Sequence, residues 1–313
     1  MDNKQYLDAM RKQHYAIFGH GQHSAAKLCT WTKKSLRGEG VCYKQLFYGV
    51  DSHRCLQMTP NLYCNQRCVF CWRSWEYAPA AFQPKKWDDP KEIVEESIRA
   101  QRTLLSGYGG LKNLDRKKYE EALNPNQVAI SLAGEPTLYP MIWDLVHEYK
   151  RRDFTTFLVS NAMLPERLED MTEKPTQLYF SLDAPDEKTH KKVNVPMLAD
   201  SWKRLNRSLE LMSGMPDVRR VIRITVVKGW NDKDPAGYAK LVEKSGADFL
   251  EVKAYMFVGG SRQRLSLENM PSHEYVKKFA EEINKNLGWE YGGEQPPSRV
   301  VVYSRGSKSL KIH

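Results

Sequence analysis

The chain has 313 residues, 41% hydrophobic and 27% charged, with a formal net charge of +10. That length fits one large α/β barrel or two small domains; no run of about 18 apolar residues offers a transmembrane helix, and the start, Met1-Asp2-Asn3-Lys4-Gln5, lacks the apolar core of a secretory signal. The expected place is the reducing cytoplasm, where six cysteines serve as metal ligands rather than disulfides, and the excess of cations suggests a polyanionic partner, nucleic acid first.

Residues 2–18 read as an amphipathic helix with Leu7, Met10, Tyr15 and Phe18 on its apolar face. His20-Gly21-Gln22-His23 breaks it as a turn with structural histidines. Leu56-Gln57-Met58-Thr59-Pro60 reads as a strand end, and Trp75 to Trp87 as a connection containing proline and aromatics. Asp88-Asp89-Pro90 opens a helix faced by Ile93, Ile98, Leu104 and Leu105 and ended by Gly107-Tyr108-Gly109-Gly110. Residues 111–124 read as a charged surface insertion with a short helix.

Strands and helices then alternate. Strands are expected over 128–132, 154–160, 178–182, 221–227 and 249–257. Helices are expected over 140–151, 165–171, 201–212 (capped by Asp200 or Ser201), 235–245 (closed by Gly246) and 273–287 (closed by Gly288). With Leu56–Met58 this makes six β/α units: an α/β fold with a parallel sheet and right-handed crossovers, a partial (β/α)6 barrel. No linker divides it, so the organisation is one domain: an N-terminal segment over 1–55, the barrel over 56–290 and a C-terminal addition over 291–313. In that addition Pro296–Tyr303 reads as a strand, and Ser304–Lys311 as a basic tail that either touches a phosphate backbone or is disordered.

All six cysteines fall between Cys29 and Cys71. Cys64, Cys68 and Cys71 have the spacing Cys-x3-Cys-x2-Cys. Three thiolates so placed hold three corners of a 4Fe–4S cube and leave the fourth iron open to bind a small molecule by its amino and carboxylate groups and to pass it an electron. The alternative is a zinc knuckle with His53 as fourth ligand. Cys29, Cys42 and Cys55, evenly spaced, suggest a second cluster; the alternative is three unrelated core cysteines. Around them Lys27, Trp31, Lys33, Lys34, Arg37, Tyr43, Lys44, Phe47, Tyr48 and Arg54 mix cations with flat rings, as RNA binding uses.

In α/β barrels chemistry sits at the C-terminal strand ends. Those ends carry Ala133-Gly134-Glu135-Pro136-Thr137, then Ser160-Asn161, then Ser181-Leu182-Asp183. Gly134 allows close backbone approach, Glu135 accepts from an ammonium, and the short polar side chains suit a ribose or a carboxylate. Alternation puts Glu251, Lys253 and Tyr255 on one strand face, either as functional groups or with Glu251 and Lys253 as an ion pair.

The Cys64/Cys68/Cys71 spacing, with Phe70 before the last cysteine, resembles the radical S-adenosylmethionine (SAM) enzymes. Ala133-Gly134-Glu135 resembles their Gly-Gly-Glu motif, with Ala133 for the first glycine. Both cysteine sets in this order, with Cys42-Tyr43-Lys44, Phe70-Cys71-Trp72-Arg73, Ala133-Gly134-Glu135-Pro136 and Ser160-Asn161, resemble the archaeal tRNA 4-demethylwyosine synthases of wybutosine biosynthesis over essentially the whole chain.

The resemblance implies a partial radical-SAM barrel, two 4Fe–4S clusters and SAM. It implies a lyase that condenses N1-methylguanosine at position 37 of tRNA(Phe) with two carbons of pyruvate, through a 5′-deoxyadenosyl radical, to give 4-demethylwyosine. Cys64, Cys68 and Cys71 hold the SAM-cleaving cluster, and Phe70, Gly134, Glu135, Ser160, Asn161, Ser181 and Asp183 line the SAM site. Pyruvate is held either by the open iron of the Cys29/Cys42/Cys55 cluster or by Lys44 as a Schiff base. The partners implied are the anticodon stem-loop and a separate electron donor, a flavodoxin or ferredoxin; with no exposed heptad or apolar stripe in the sequence, the chain is expected to be a monomer. The base at position 37 must be flipped out, with Trp31, Tyr43, Tyr48, Trp72 or Trp75 replacing its stacking. Two other readings use the same cysteines: a radical-SAM enzyme with an auxiliary cluster acting on a peptide or small metabolite, and a non-catalytic zinc-bearing RNA-binding protein.

Overall fold

The computed structural model describes residues 3–75, 84 and 86–312. Of the connection expected from Trp75 to Trp87, residues 76–83 and 85 lie outside the described residues, as does Asp2 at the start of the first expected helix. The chain divides into two compact units. One comprises Met1–Cys64, Tyr77–Val159 and Met171–Thr176; the other comprises Asn65–Glu76, Ser160–Asp170 and Gln177–His313. The backbone passes repeatedly from one to the other, so no single linker marks the division.

In the first unit, α1 (Asn3–Lys12) is followed by β1 (Ala16–Phe18), β2 (Ser24–Ala26), α2 (Thr30–Leu36), α3 (Tyr43–Tyr48) and β3 (Cys55–Thr59). Then come α4 (Pro90–Ser106), α5 (Arg116–Ala122), β4 (Gln127–Ile130), α6 (Ile142–Lys150) and β5 (Thr155–Ser160). Strands β3, β4 and β5 are parallel, and β1 and β2 add an antiparallel edge on β3. Helix α4 starts as its cap chemistry predicts: the Asp89 side chain accepts from Lys91 N at 2.8 Å and Pro90 opens the first turn.

The first helix is shorter than its apolar pattern suggests. It stops at Lys12, His14 takes a left-handed φ of 64°, and Ala16–Phe18 pairs with Ser24–Ala26 instead. A helix cannot run through a left-handed residue, and Tyr15 and Phe18 are buried beyond its end. Tyr6, Leu7 and Met10 of α1 pack on Leu62, Tyr63, Leu132 and Ala133, which fixes the segments leading to Cys64 and Gly134.

The second unit holds α7 (Pro165–Glu169), β6 (Gln177–Ser181), α8 (Glu187–Asn194), α9 (Ser201–Ser213), β7 (Arg219–Val226), α10 (Pro235–Ser245), β8 (Phe249–Ala254), α11 (His273–Leu287), β9 (Glu290–Gln295) and β10 (Val300–Ser304). Strands β6, β7 and β8 are parallel. Together with β3, β4 and β5 they are the six parallel strands expected, counted among the described residues.

Three departures have local causes. Helix α8 is charged, buries only His190, Val193 and Asn194, and so has little apolar periodicity; its signal was Asp186, which caps it onto Thr189 N at 2.9 Å. Strand β8 ends at Ala254 rather than 257 because the chain turns into the loop leading to a 3-10 segment at Gly259–Gln263. The C-terminal strand is a hairpin: Pro296–Ser298 forms a 3-10 turn, Arg299 takes a φ of 47°, and β10 lies antiparallel between β8 and β9. At the start of α9 Asp200 is the capping residue, but its carboxylate is turned to Arg204 rather than to a backbone N–H.

The basic tail is docked. Arg219 donates to the carbonyls of Ser309 and Leu310 at 2.7 and 2.8 Å, Ser307 Oγ donates to Asp248 at 2.9 Å, and Lys308 pairs with Asp248 at 3.2 Å.

Candidate active site

Within the second unit the Cys68–Cys71 loop is gripped through its backbone. Arg67 N donates to the carbonyls of Asn194 and Val195 at 3.1 and 3.0 Å, and Val69 N to Val193 O at 2.9 Å, all at the end of α8. From the segment after β8, Arg264 donates to the carbonyls of Val69 and Arg73 at 3.0 and 3.3 Å and to that of Cys71, with its guanidinium 4.6 Å from the Trp75 ring centre. Gly260 N donates to Trp72 O at 2.7 Å. A Cβ on Gly259, at φ 59°, would stand 2.2 Å from Trp72 O, so only glycine lets this segment reach the loop.

The loop carbonyls are thus engaged by fixed donors. Cys68 and Cys71 form no disulfide and are joined by a turn, Cys71 N to Cys68 O at 3.0 Å. Asn194 Nδ2 stands 3.6 Å from Cys68 Sγ, a donor suited to a thiolate. These residues fit a cluster-binding loop. Phe70 is half-buried against Val227, Tyr255 and Leu265. Asn194, Arg264 and Gly259 were missed in the sequence, since each lies more than a hundred residues from the cysteines it serves.

In the first unit Cys64 is half-buried and follows Leu62 and Tyr63. Gly134 has a φ of 71°, and a Cβ there would lie 2.1 Å from Asn61 O and 2.6 Å from Tyr63 O. Its close approach is to the chain's own segment before Cys64. Glu135 is buried; its N–H donates to Tyr63 O at 2.6 Å, and its Oε1 accepts from Thr137 N and Oγ1 at 3.1 and 2.6 Å. The motif therefore holds the cysteine segment and aims a carboxylate at the same time.

In the second unit Ser160 Oγ accepts from Ala162 N at 3.0 Å, and Asn161 joins Asn65 at 2.7 Å and Met163 N at 3.1 Å. Ser181 is half-buried at the end of β6. Asp183 accepts from Thr225 N at 2.8 Å and Asn194 Nδ2 at 3.4 Å; burial pushes its carboxyl up to about 6 against those hydrogen bonds.

The N-terminal cysteines converge within the first unit. Cys29 and Cys42 are the N-cap residues of α2 and α3, and Cys55 opens β3. All three are free, and each lies within electrostatic range of the others. Burial pushes the Cys42 thiol up to about 12 and raises that of Cys55, while the Lys44 ammonium opposes both shifts. Lys44 Nζ is 3.9 Å from Cys55 Sγ and 4.5 Å from the Phe157 ring centre. Three thiols beside a cation suit a group that needs thiolates.

Among the described residues no three His, Cys, Asp or Glu side chains are gathered as ligands to one metal ion; a cube gives each thiolate its own iron and asks for a wider spread. His53, the fourth ligand of the zinc reading, points its Nε2 at Glu121 Oε2, 2.6 Å away.

Several expected groups have other duties. Glu251 pairs with Arg223, Nη2 at 2.8 Å and Nε at 2.9 Å, because parallel register sets these two side by side on β8 and β7. Tyr255 lies past the strand, with its hydroxyl on Ser261 Oγ at 2.9 Å. Of the rings offered for stacking, Tyr43 and Tyr48 are buried, while Trp72 is 36% exposed. His23 is structural: buried, with Nδ1 2.6 Å from Pro60 O and Nε2 accepting from Asp88 N at 3.0 Å. No described helix is long and apolar enough to cross a membrane.

Residues 58–242 match the family model of the radical SAM superfamily, and residues 244–305 that of wyosine base formation. Fold and site together define a radical SAM enzyme. The chain is 53% identical over 307 residues to the S-adenosyl-L-methionine-dependent tRNA 4-demethylwyosine synthase of Pyrococcus horikoshii, covering 96% of this chain and 89% of that one. It superposes on the solved structure of TYW1 with a lysine-pyruvate adduct bound at a TM-score of 0.89 and 34% identity, covering 100% of this chain and 99% of that one. On the crystal structure of archaeal TYW1 the TM-score is 0.82 at 31% identity, covering 100% of both. The chain belongs to the tRNA 4-demethylwyosine synthase family, and its fold is the radical-SAM barrel that its six β/α units imply.

Proposed function

We propose that this enzyme condenses N1-methylguanosine at position 37 of tRNA(Phe) with two carbons of pyruvate to form 4-demethylwyosine. The observation that carries this is Lys44, whose amine stands beside Cys55 among three thiols in a chain 34% identical to a TYW1 bearing a lysine-pyruvate adduct. Cys64, Cys68 and Cys71 would hold a 4Fe–4S cluster with an open iron, which would supply the electron for SAM cleavage.

The chain's own residues do the rest. Glu135, oriented by Thr137, takes the SAM amino group, and Phe70, Gly134, Ser160, Asn161, Ser181 and Asp183 are the other residues assigned to SAM. Lys44 attacks the pyruvate ketone and, with loss of water, holds the keto acid as an imine. Cys29, Cys42 and Cys55 would hold a second 4Fe–4S cluster, which would supply a Lewis-acidic site for the keto acid. The nearness of Lys44 to Cys55 supports joint action of amine and iron. The +10 charge grips the anticodon stem-loop, so log affinity falls with log salt, and Trp31, Trp72 or Trp75 stacks on the flipped base. The enzyme acts as a cytoplasmic monomer and draws electrons from a separate flavodoxin or ferredoxin.

The test is anaerobic incubation of reconstituted enzyme with SAM, reductant, pyruvate and N1-methylguanosine-containing tRNA, then mass spectrometry of the digested nucleosides. A nucleoside with two added carbons, seen only with pyruvate, is expected. Release of 5′-deoxyadenosine with unchanged tRNA would point to another substrate. The Cys29, Cys42 and Cys55 triple alanine variant is expected to retain one cluster per chain; an undiminished iron content would remove the second site.

A further inference from the structure

Asn194 closes α8, 2% exposed. Its Nδ2 donates to Cys68 Sγ at 3.6 Å and to Asp183 Oδ2 at 3.4 Å. A carboxylate and a metal-bound thiolate both only accept, so the amide nitrogen, not its oxygen, must face them. The amide has little freedom to turn away. The Asn194 carbonyl accepts from Arg67 N at 3.1 Å, and Gln66 bridges to Pro196 on the antiparallel pattern, so helix end and cysteine loop are tied on both sides of the contact. Asp183 is anchored in turn: Oδ1 accepts from Thr225 N at 2.8 Å, and its backbone carbonyl accepts from Asn231 Nδ2 at 2.9 Å. A line of hydrogen bonds thus runs from β7 through Asp183 and Asn194 to one cysteine sulfur. Gln66 Oε1 lies 3.4 Å from the same sulfur, where a thiol donates; a thiolate there favours the flipped amide, with Nε2 as donor.

We propose that Asn194 is a positioning residue that tunes the SAM-cleaving cluster: its N–H, aimed by Asp183, hydrogen-bonds the Cys68 thiolate and raises the reduction potential of the iron it binds. This rests on the reading of Cys68 as a cluster ligand. Hydrogen bonds to ligand sulfurs withdraw charge from the cluster and favour its reduced state. The donor is a buried side chain on a different element from the cysteine loop, so the potential depends on how α8 and β7 are packed.

The test is a redox titration of the holoenzyme, following the electron paramagnetic resonance signal that changes when SAM is added. Asn194→Asp keeps the shape but replaces the donor with an acceptor. It is expected to shift the one-electron equilibrium toward the oxidised cluster at least tenfold, which is about 59 mV. Asn194→Leu, which removes the N–H without adding charge, is expected to shift it about threefold the same way, on the scale of one modest hydrogen bond. In the parent, exchange into deuterated buffer is expected to change a proton coupling at the cluster that Asn194→Leu lacks. Both variants within twofold of the parent, at unchanged iron content, would overturn the proposal. A holoenzyme with no signal that responds to SAM would overturn the cluster assignment beneath it as well.

Discussion

Replacing Lys44 with alanine is expected to abolish pyruvate incorporation into tRNA, by about 10³-fold or more, while 5′-deoxyadenosine is still released. The size follows from the loss of a covalent tether, because a reactant held on the enzyme reacts at an effective concentration no free keto acid reaches. The amine has a second possible duty, since it stands 3.9 Å from Cys55 Sγ and its charge favours the thiolates of Cys42 and Cys55. Lys44→Arg separates the two. Arginine keeps the charge but forms no imine, so the iron content should survive and the incorporation should not. Borohydride treatment of the parent with pyruvate should leave a carboxyethyl group on the Lys44 peptide. Ring formation by Lys44→Arg near the parental rate would remove the imine from the mechanism and leave Lys44 as a charge partner of the cysteines.

Asp248→Asn is expected to destabilise the protein by about 3–5 kcal/mol, the range for breaking a buried ion pair from one side. Asp248 is fully buried and immediately precedes β8. Its oxygens accept from Arg220 N, Nε and Nη2 at 2.9, 3.2 and 2.9 Å and from Ser307 at 2.9 Å, and Lys308 lies 3.2 Å away. Arg220 also reaches the carbonyl of Ser213 at the end of α9, at 3.2 Å. One carboxylate therefore ties the entry of two strands, the end of a helix and the C-terminal tail, and an amide in its place leaves two cations facing a neutral group.

Burial raises the Asp248 carboxyl, but the hydrogen bonds and charge of Arg220 outweigh it and hold the group below the usual carboxylate range. A depressed folded-state value means that its stabilisation is complete above the unfolded pKa of about 3.9 and is lost as pH falls through the folded value. Urea unfolding should thus show the parent losing its advantage over Asp248→Asn only in strong acid, with the gap constant between pH 5 and 7. A gap under about 1 kcal/mol at neutral pH would show that the pair contributes little.

The local chemistry of the chain was legible because it depends on neighbours in sequence. Asp89 and Pro90 start α4, Gly246 and Gly288 close α10 and α11, and a β-branched run forms β7, each for reasons contained in a few adjacent residues. The Cys-x3-Cys-x2-Cys spacing is local in the same way, and with the later motifs it was enough to name the family. By itself, then, the sequence determined the alternation of six β/α units, the two cysteine sets and the reaction class.

Tertiary structure decided which side chains meet. The pairing of Glu251 with Arg223 follows from the register of β7 against β8. Gly134 and Gly259 are glycines because other backbone passes within 3 Å of where a Cβ would stand. The burial of Tyr48, the docking of the tail on Asp248, and the convergence of Arg264 and Asn194 on one cysteine loop join residues far apart in the chain. Such contacts depend on packing over the whole fold, and no short stretch of sequence contains the distances that set them.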